Sequence, residues 1–118
     1  MKGTIYYLSS CDTCKRILKE LAPLKDITAV DIKLAPLTEK QLDHLRSLAG
    51  SYEALFSKRA MLYKERKLKE KTLTEENFRS LLLEHYTFLK RPVMVLGNEI
   101  FIGNTKNVVA AAKESLHS

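Results

Sequence analysis

The hydrophobic period changes twice within the first third of the chain. Residues 3–8, GTIYYL, are β-branched and aromatic and predict a buried strand. Ser9 and Ser10 read as a turn. From Cys11 onward the period is helical, with Cys14, Ile17, Leu18 and Leu21 on one face, and Pro23 stops the helix. Residues 27–32, ITAVDI, predict a second strand. Strand, helix and strand within about 30 residues make a βαβ unit, which implies parallel strands and a right-handed crossover.

Only four Gly and three Pro punctuate the whole chain, so each carries information. Thr38 with Gln41 has the pattern of a capping box; Leu42, Leu45 and Leu48 or Ala49 form the buried face, and Gly50 closes the helix. Residues 52–70 read as one or two short helices. A further helix starts at Thr74 with Asn77 three residues on, its stripe being Phe78, Leu81, Leu82 and Tyr86 or Leu89. VMVL at 93–96 and EIFI at 99–102 flank Gly97-Asn98, a hairpin. Gly103 ends it, and Thr105 caps a last helix with Val108, Val109 and Leu116 inward. The expected α/β solution is a mixed four-stranded sheet with helices on both faces.

The length of 118 residues fits one domain. Folding at this size should bury roughly 65% of the unfolded chain's surface, enough for a core without staples. Apolar residues are 45% and charged residues 29% with both signs interspersed, which excludes bulk disorder. No apolar run nears the roughly 20 residues of a membrane span. The opening MKGTIYYLSS lacks a signal peptide's apolar core and cleavage site, so a cytoplasmic location is the expected default. The net charge of +6 favours anionic partners: an oxyanion, glutathione, an acidic protein or nucleic acid.

The two cysteines, Cys11 and Cys14, stand at one point in the chain and cannot make a disulfide scaffold. Cys11 falls at a helix N-terminus, where free N–H groups and the macrodipole favour an anion, so its thiolate should be the reactive form. Cys14 lies one turn on, within reach for a disulfide. The competing readings are a pair of small buried residues, or zinc. Zinc needs a second ligand pair, and His44, His85 and His117 are isolated, so no metal is expected.

Arg91-Pro92 precedes a strand. It reads either as a proline tolerated at a strand start, or as a cis-Pro turn holding backbone against the cysteine loop with Arg91 beside the thiolate. An arginine fork suits tetrahedral oxyanions. The basic run Lys58, Arg59, Lys64, Arg66, Lys67, Lys69 and Lys71 is interrupted by Glu65 and Glu70. It reads first as a solvated face anchored by Leu68 and Leu73, and second as a partner surface. It lacks the aromatic interleaving of a base-stacking surface, so no direct nucleic-acid binding is expected.

The strand-Cys-x-x-Cys-Lys-helix opening, the Arg-Pro-Val-Met-Val strand and the hairpin ending Ile102-Gly103 together resemble the glutaredoxin-coupled arsenate reductase (ArsC) and Spx family. The resemblance covers essentially the whole chain. It implies a thioredoxin-like (glutaredoxin-type) fold, a single domain over 1–118, with a helical insertion between strands 2 and 3 at about 36–89. It also implies a cis-Pro92. By motif position Cys11 matches the nucleophile of the reductase branch and Arg91 the arginine before the proline. Arg59 falls within one or two residues of the arginine in the insertion; its plainer reading is a solvated helix residue. Where the reductases carry His and Asn ahead of the cysteine, this chain has Tyr7 and Leu8. Their third arginine falls near Asn104, with Lys106 close by. Cys14 resembles the second cysteine of Spx-type members, which closes to a disulfide.

Two functions are therefore expected. The first is a thiol-dependent oxidoreductase in which Cys11 attacks an oxyanion or disulfide. Arg91 and Arg59 stabilise negative charge beside Pro92, and Cys14 or glutathione resolves the intermediate. Arsenate is the substrate the family suggests, glutathione or glutaredoxin the reductant, with no bound cofactor and a monomeric, membrane-free protein. The second is a redox-sensing regulator that binds RNA polymerase, with Cys11 and Cys14 as its switch.

Overall fold

The computed structural model describes residues 3–117. The elements in chain order are β1 (Gly3–Tyr7), α1 (Asp12–Leu21), β2 (Ile27–Asp31), α2 (Glu39–Ala49), α3 (Met61–Glu65), α4 (Glu75–Glu84), β3 (Val93–Leu96), β4 (Glu99–Ile102) and α5 (Lys106–His117). The chain divides into two compact units. One comprises the residues up to Ala35 together with those from Arg91 onward; the other is Pro36–Lys90.

The first unit holds the expected mixed four-stranded sheet, in the order β2-β1-β3-β4. β1 runs parallel to β2 and antiparallel to β3, and β3 is antiparallel to β4. The turn between β3 and β4 has Gly97 at φ 64, a left-handed conformation that glycine adopts without steric cost. β3 is buried along its whole length, which is why VMVL is a continuous apolar run. The core joins Ile5 of β1, Ile17 and Leu21 of α1, Met94 and Leu96 of β3, and Val109 and Ala112 of α5. Both helices of this unit therefore cover one face of the sheet. Val108, Leu116 and Leu18 pack at its margin. His117 Nε2 donates to the Leu21 carbonyl at 2.8 Å and ties the end of α5 to the end of α1. Ala22-Pro23 is a cis peptide at the stop of α1.

The second unit lies between β2 and β3 in the chain. α2 begins with the expected capping box at Thr38 and Gln41 and ends at Gly50, φ 95. α4 begins with a second box at Thr74 and Asn77. α4 ends at Glu84, however, so Tyr86 and Leu89 are not part of its stripe. His85 breaks the helix in extended conformation, φ −150, and its Nδ1 accepts from the Thr87 N–H at 3.1 Å to open a short 3-10 turn, Tyr86–Phe88. Residues 52–70 hold short helical pieces, as expected: α3 is flanked by 3-10 turns at Glu53–Leu55 and Leu68–Glu70. The rings of Phe88, Phe78 and Tyr63 surround Phe56 at centroid distances of 5.2, 4.9 and 5.9 Å.

Asp43 of α2 takes both arms of Arg79 from α4, at 2.9 and 3.1 Å, and the Tyr52 hydroxyl at 2.6 Å. The Arg79 guanidinium, then the Tyr52 hydroxyl, hold the Asp43 carboxyl down to about 2, from an ordinary 3.8. A lowered folded-state value means this contribution is complete above the unfolded value and lost as pH falls through about 2. Both partners are solvated, so the effect on stability is small. Arg79→Ala should return the Asp43 titration, followed by carboxyl NMR, toward 3.8; an unmoved titration would show that Arg79 is not its cause.

Among the described residues no helix is long and apolar enough to cross a membrane.

Candidate active site

The parallel ladder of β1 and β2 ends with Tyr7 opposite Asp31. Beyond it the chain turns through Ser9 and Ser10, closed by the Cys11 N–H donating to the Leu8 carbonyl at 3.0 Å. Cys11 is the N-cap of α1, in extended conformation at φ −96 and ψ 113. The reason for this place is local: Asp12 opens a helical period whose buried positions are Cys14, Ile17 and Leu21. Lys15 and Arg16 face solvent on the helix body.

The two thiols differ in environment. Cys11 is half-buried, Cys14 fully buried. Burial pushes the Cys11 thiol up. The Cys14 N–H and thiol, the Arg91 charge and the Thr13 N–H outweigh it, so the net direction is down. Cys11 makes no side-chain hydrogen bond of ordinary cap geometry. The help from the helix start comes from the Cys14 and Thr13 N–H groups of its first turn, together with the charge of Arg91. Cys14 goes the other way: burial first, then the neighbouring Cys11, push it up to about 11, against a backbone hydrogen bond at Leu8 and the charge of Arg91. Cys11 is thus the more readily ionised of the two sulfurs, and Cys14 is a protonated donor beside it at neutral pH.

Arg91 reaches this place by sheet register. In the antiparallel pair Tyr6 lies opposite Val93, so residues entering β3 arrive where β1 ends and the cysteine turn begins. Arg91-Pro92 is a cis peptide, the second of the two readings of that dipeptide. Pro92 is buried and its carbonyl accepts from the Gly103 N–H at 2.9 Å. Cys11, Cys14, Arg91 and Pro92 thus belong to one unit. Arg59 belongs to the other. It is an exposed residue in a turn before α3 rather than on a helix. Within the basic run Lys58 pairs with Glu53 at 2.7 Å and Arg66 with Glu84 at 2.8 Å, and Leu68 is buried as its anchor. No group of three or more His, Cys, Asp or Glu side chains placed to hold a metal occurs among the described residues.

One contact at the site has no signal in the sequence. The Ser9 hydroxyl donates to the Asp31 carboxylate across 22 residues. Ser9 reads only as a turn residue and Asp31 only as the end of a strand, and nothing local links them.

A pH profile of alkylation separates the thiols. With iodoacetamide, and modified peptides identified by mass, Cys11 should titrate below a free thiol's roughly 8.5. Cys14 should stay unreactive until far higher pH. A Cys11 profile centred on the ordinary value would remove the helix-start argument.

The ArsC family model matches residues 6–112. No curated protein matches the chain. Among solved structures, a protein described as related to the ArsC family, from Bacteroides fragilis, is 27% identical, with 95% of this chain and 98% of that one covered and a TM-score of 0.79. An arsenate reductase from Vibrio cholerae is 20% identical over 95% and 98% of the two chains, TM-score 0.80. An arsenate reductase (ArsC) related protein from Brucella melitensis is 24% identical over 94% and 93%, TM-score 0.72. These likenesses carry the expected α/β, thioredoxin-like fold. With a family match running over nearly all of its length, the chain belongs to the ArsC family.

Proposed function

We propose that the protein is a thiol-dependent oxidoreductase, with arsenate as substrate and glutathione or glutaredoxin supplying electrons. One observation carries this reading: a half-exposed Cys11 at the start of α1, its thiol held down by helix N–H groups and the Arg91 charge. The thiolate attacks arsenic and an oxygen of arsenate leaves as water. A second thiol, from Cys14 or glutathione, then attacks the Cys11 sulfur. That releases the arsenic with the electron pair of the S–As bond, as arsenite, and leaves one disulfide. Arg91 binds the oxyanion as a bidentate donor. The reaction suits the cytoplasm, where glutathione keeps thiols reduced.

The test is NADPH consumption with arsenate, glutathione, glutathione reductase and glutaredoxin. Arsenate-dependent turnover is expected in the wild type. Arg91→Ala should raise KM for arsenate about tenfold or more, the scale of one lost charge-assisted bidentate contact. No turnover with a reactive Cys11 would overturn arsenate as substrate. An unchanged KM in Arg91→Ala would remove that arginine's role.

The protonated Cys14 thiol beside Cys11 favours a second reading, a redox switch that regulates RNA polymerase. Oxidation would close Cys11–Cys14, read as a two-dalton mass loss (one S–S bond). Capture of purified polymerase would then differ between reduced and oxidised protein; equal capture, or none, excludes it.

A further inference from the structure

We propose that Ser9 and Asp31 are a pair of positioning residues: they hold the turn that presents Cys11 to the start of α1. The inference rests on Cys11 being the reactive thiol of the function proposed above.

After Tyr7 and Asp31 the ladder of β1 and β2 ends, with the Ile32 N–H donating to the Tyr7 carbonyl at 2.9 Å. From there the two strands leave in different turns. The turn after β1 carries Cys11 and is closed by a single backbone bond, Cys11 to Leu8 at 3.0 Å. The turn after β2 is held by Asp31 itself. Its carbonyl accepts from Leu34 and Ala35 at 3.1 and 2.8 Å, and its Oδ1 accepts from the Lys33 N–H at 3.1 Å. The remaining oxygen, Oδ2, takes the Ser9 hydroxyl. A carboxylate fixed in one turn thus grips the other turn two residues before the nucleophile.

Cys11 needs such a grip because its sulfur draws on the Cys14 and Thr13 N–H groups of the first turn, which hold it only while it stays in place. The pull of the helix start on an anion fades within the first turn, so a small displacement of the sulfur weakens it. The Ser9 hydroxyl spends its one proton on Asp31, so it acts on Cys11 through the turn and not by donating to sulfur. The same hydroxyl, ahead of the Lys33 N–H, holds the Asp31 carboxyl below its ordinary range, so the pair is formed at neutral pH.

The experiment is iodoacetamide alkylation of Cys11 against pH, in wild type, Ser9→Ala, Asp31→Asn and Ser9→Thr, with melting temperature measured on each. Ser9→Ala should shift the Cys11 profile upward by about one pH unit, the size of a lost local electrostatic contribution. Asp31→Asn keeps the shape but leaves one acceptor oxygen for the Ser9 hydroxyl and the Lys33, Ser9 and Leu34 N–H groups, so it should shift the profile in the same direction. Ser9→Thr keeps the hydroxyl and should restore the wild-type profile. If Ser9→Ala does not fold, Asp31→Asn against Ser9→Thr makes the same comparison. Profiles that superimpose on wild type in Ser9→Ala and Asp31→Asn, whatever their melting temperatures, reduce the pair to a turn clamp and overturn the proposal. Alkylation uses no arsenate. A wild type that fails to turn over arsenate but keeps a depressed Cys11 profile removes the substrate and leaves the positioning test standing. A wild-type Cys11 that titrates as an ordinary thiol removes both.

Discussion

Cys11→Ser is expected to lower arsenate-dependent turnover by at least about 10³-fold, the loss typical when a covalent nucleophile is removed. The serine hydroxyl would occupy the same N-cap position, at the same half-buried depth. It would stay protonated at neutral pH, so the Cys14 and Thr13 N–H groups and the Arg91 charge would have no anion to stabilise. The change touches no core contact, so the stability should hold within the roughly 0.5 kcal/mol of an ordinary surface substitution. That combination separates chemistry from folding. Cys14→Ser makes the contrast. It should leave Cys11 open to alkylation while abolishing the two-dalton loss of an intramolecular disulfide (one S–S bond). Retention of more than about a tenth of wild-type turnover in Cys11→Ser would mean that another group attacks, since an activated nucleophile has no such substitute.

The parts of this fold that were legible beforehand are those set by neighbours in sequence. The two capping boxes, Thr38 with Gln41 and Thr74 with Asn77, are reciprocal bonds over three residues and appear as expected. So do α1, stopped before Pro23, and the hairpin across Gly97-Asn98. Where structure departs from local pattern, a tertiary contact wins. Tyr86 and Leu89 continue the helical spacing of α4, yet His85 turns the chain out of the helix. Leu89 pairs instead in an isolated bridge with Phe56, flanked by the Ser57 N–H to the Phe88 carbonyl at 2.7 Å. A short bridge between residues 33 apart leaves no mark on local periodicity. The same limit applies at the site. Cys11 at a helix start is a local pattern, whereas the order β2-β1-β3-β4, which carries Arg91 to the end of β1, is a matter of long-range pairing. The Ser9 bond to Asp31 is of the same kind: two unremarkable polar residues gain meaning only from the sheet register that sets them side by side.

Phe56→Ala should cost about 3–5 kcal/mol, the range for deleting a fully buried aromatic ring. Phe56 is 1% exposed and is the one ring in contact with all three of Phe88, Phe78 and Tyr63. Its backbone also carries the bridge to Leu89. The four rings come from four segments: Phe56 after the 3-10 turn Glu53–Leu55, Tyr63 from α3, Phe78 from α4 and Phe88 from the 3-10 turn Tyr86–Phe88. Those segments are too short to be stable helices alone, so packing supplies what propensity cannot. Against a total stability of roughly 5–15 kcal/mol the loss is large. For a chain of this length it lowers the melting temperature by roughly 12–20 °C. Phe56→Leu fills most of the void and should recover more than half of the loss. Urea titration monitored by the tyrosine signal measures both, since the chain has five Tyr and no Trp. Tyr52, Tyr63 and Tyr86 lie in the Pro36–Lys90 unit, so their environment should report its unfolding directly. A cost in Phe56→Ala below about 1 kcal/mol would show that the site collapses freely around the missing ring. The aromatic cluster would then not be what holds α3 and α4 in place.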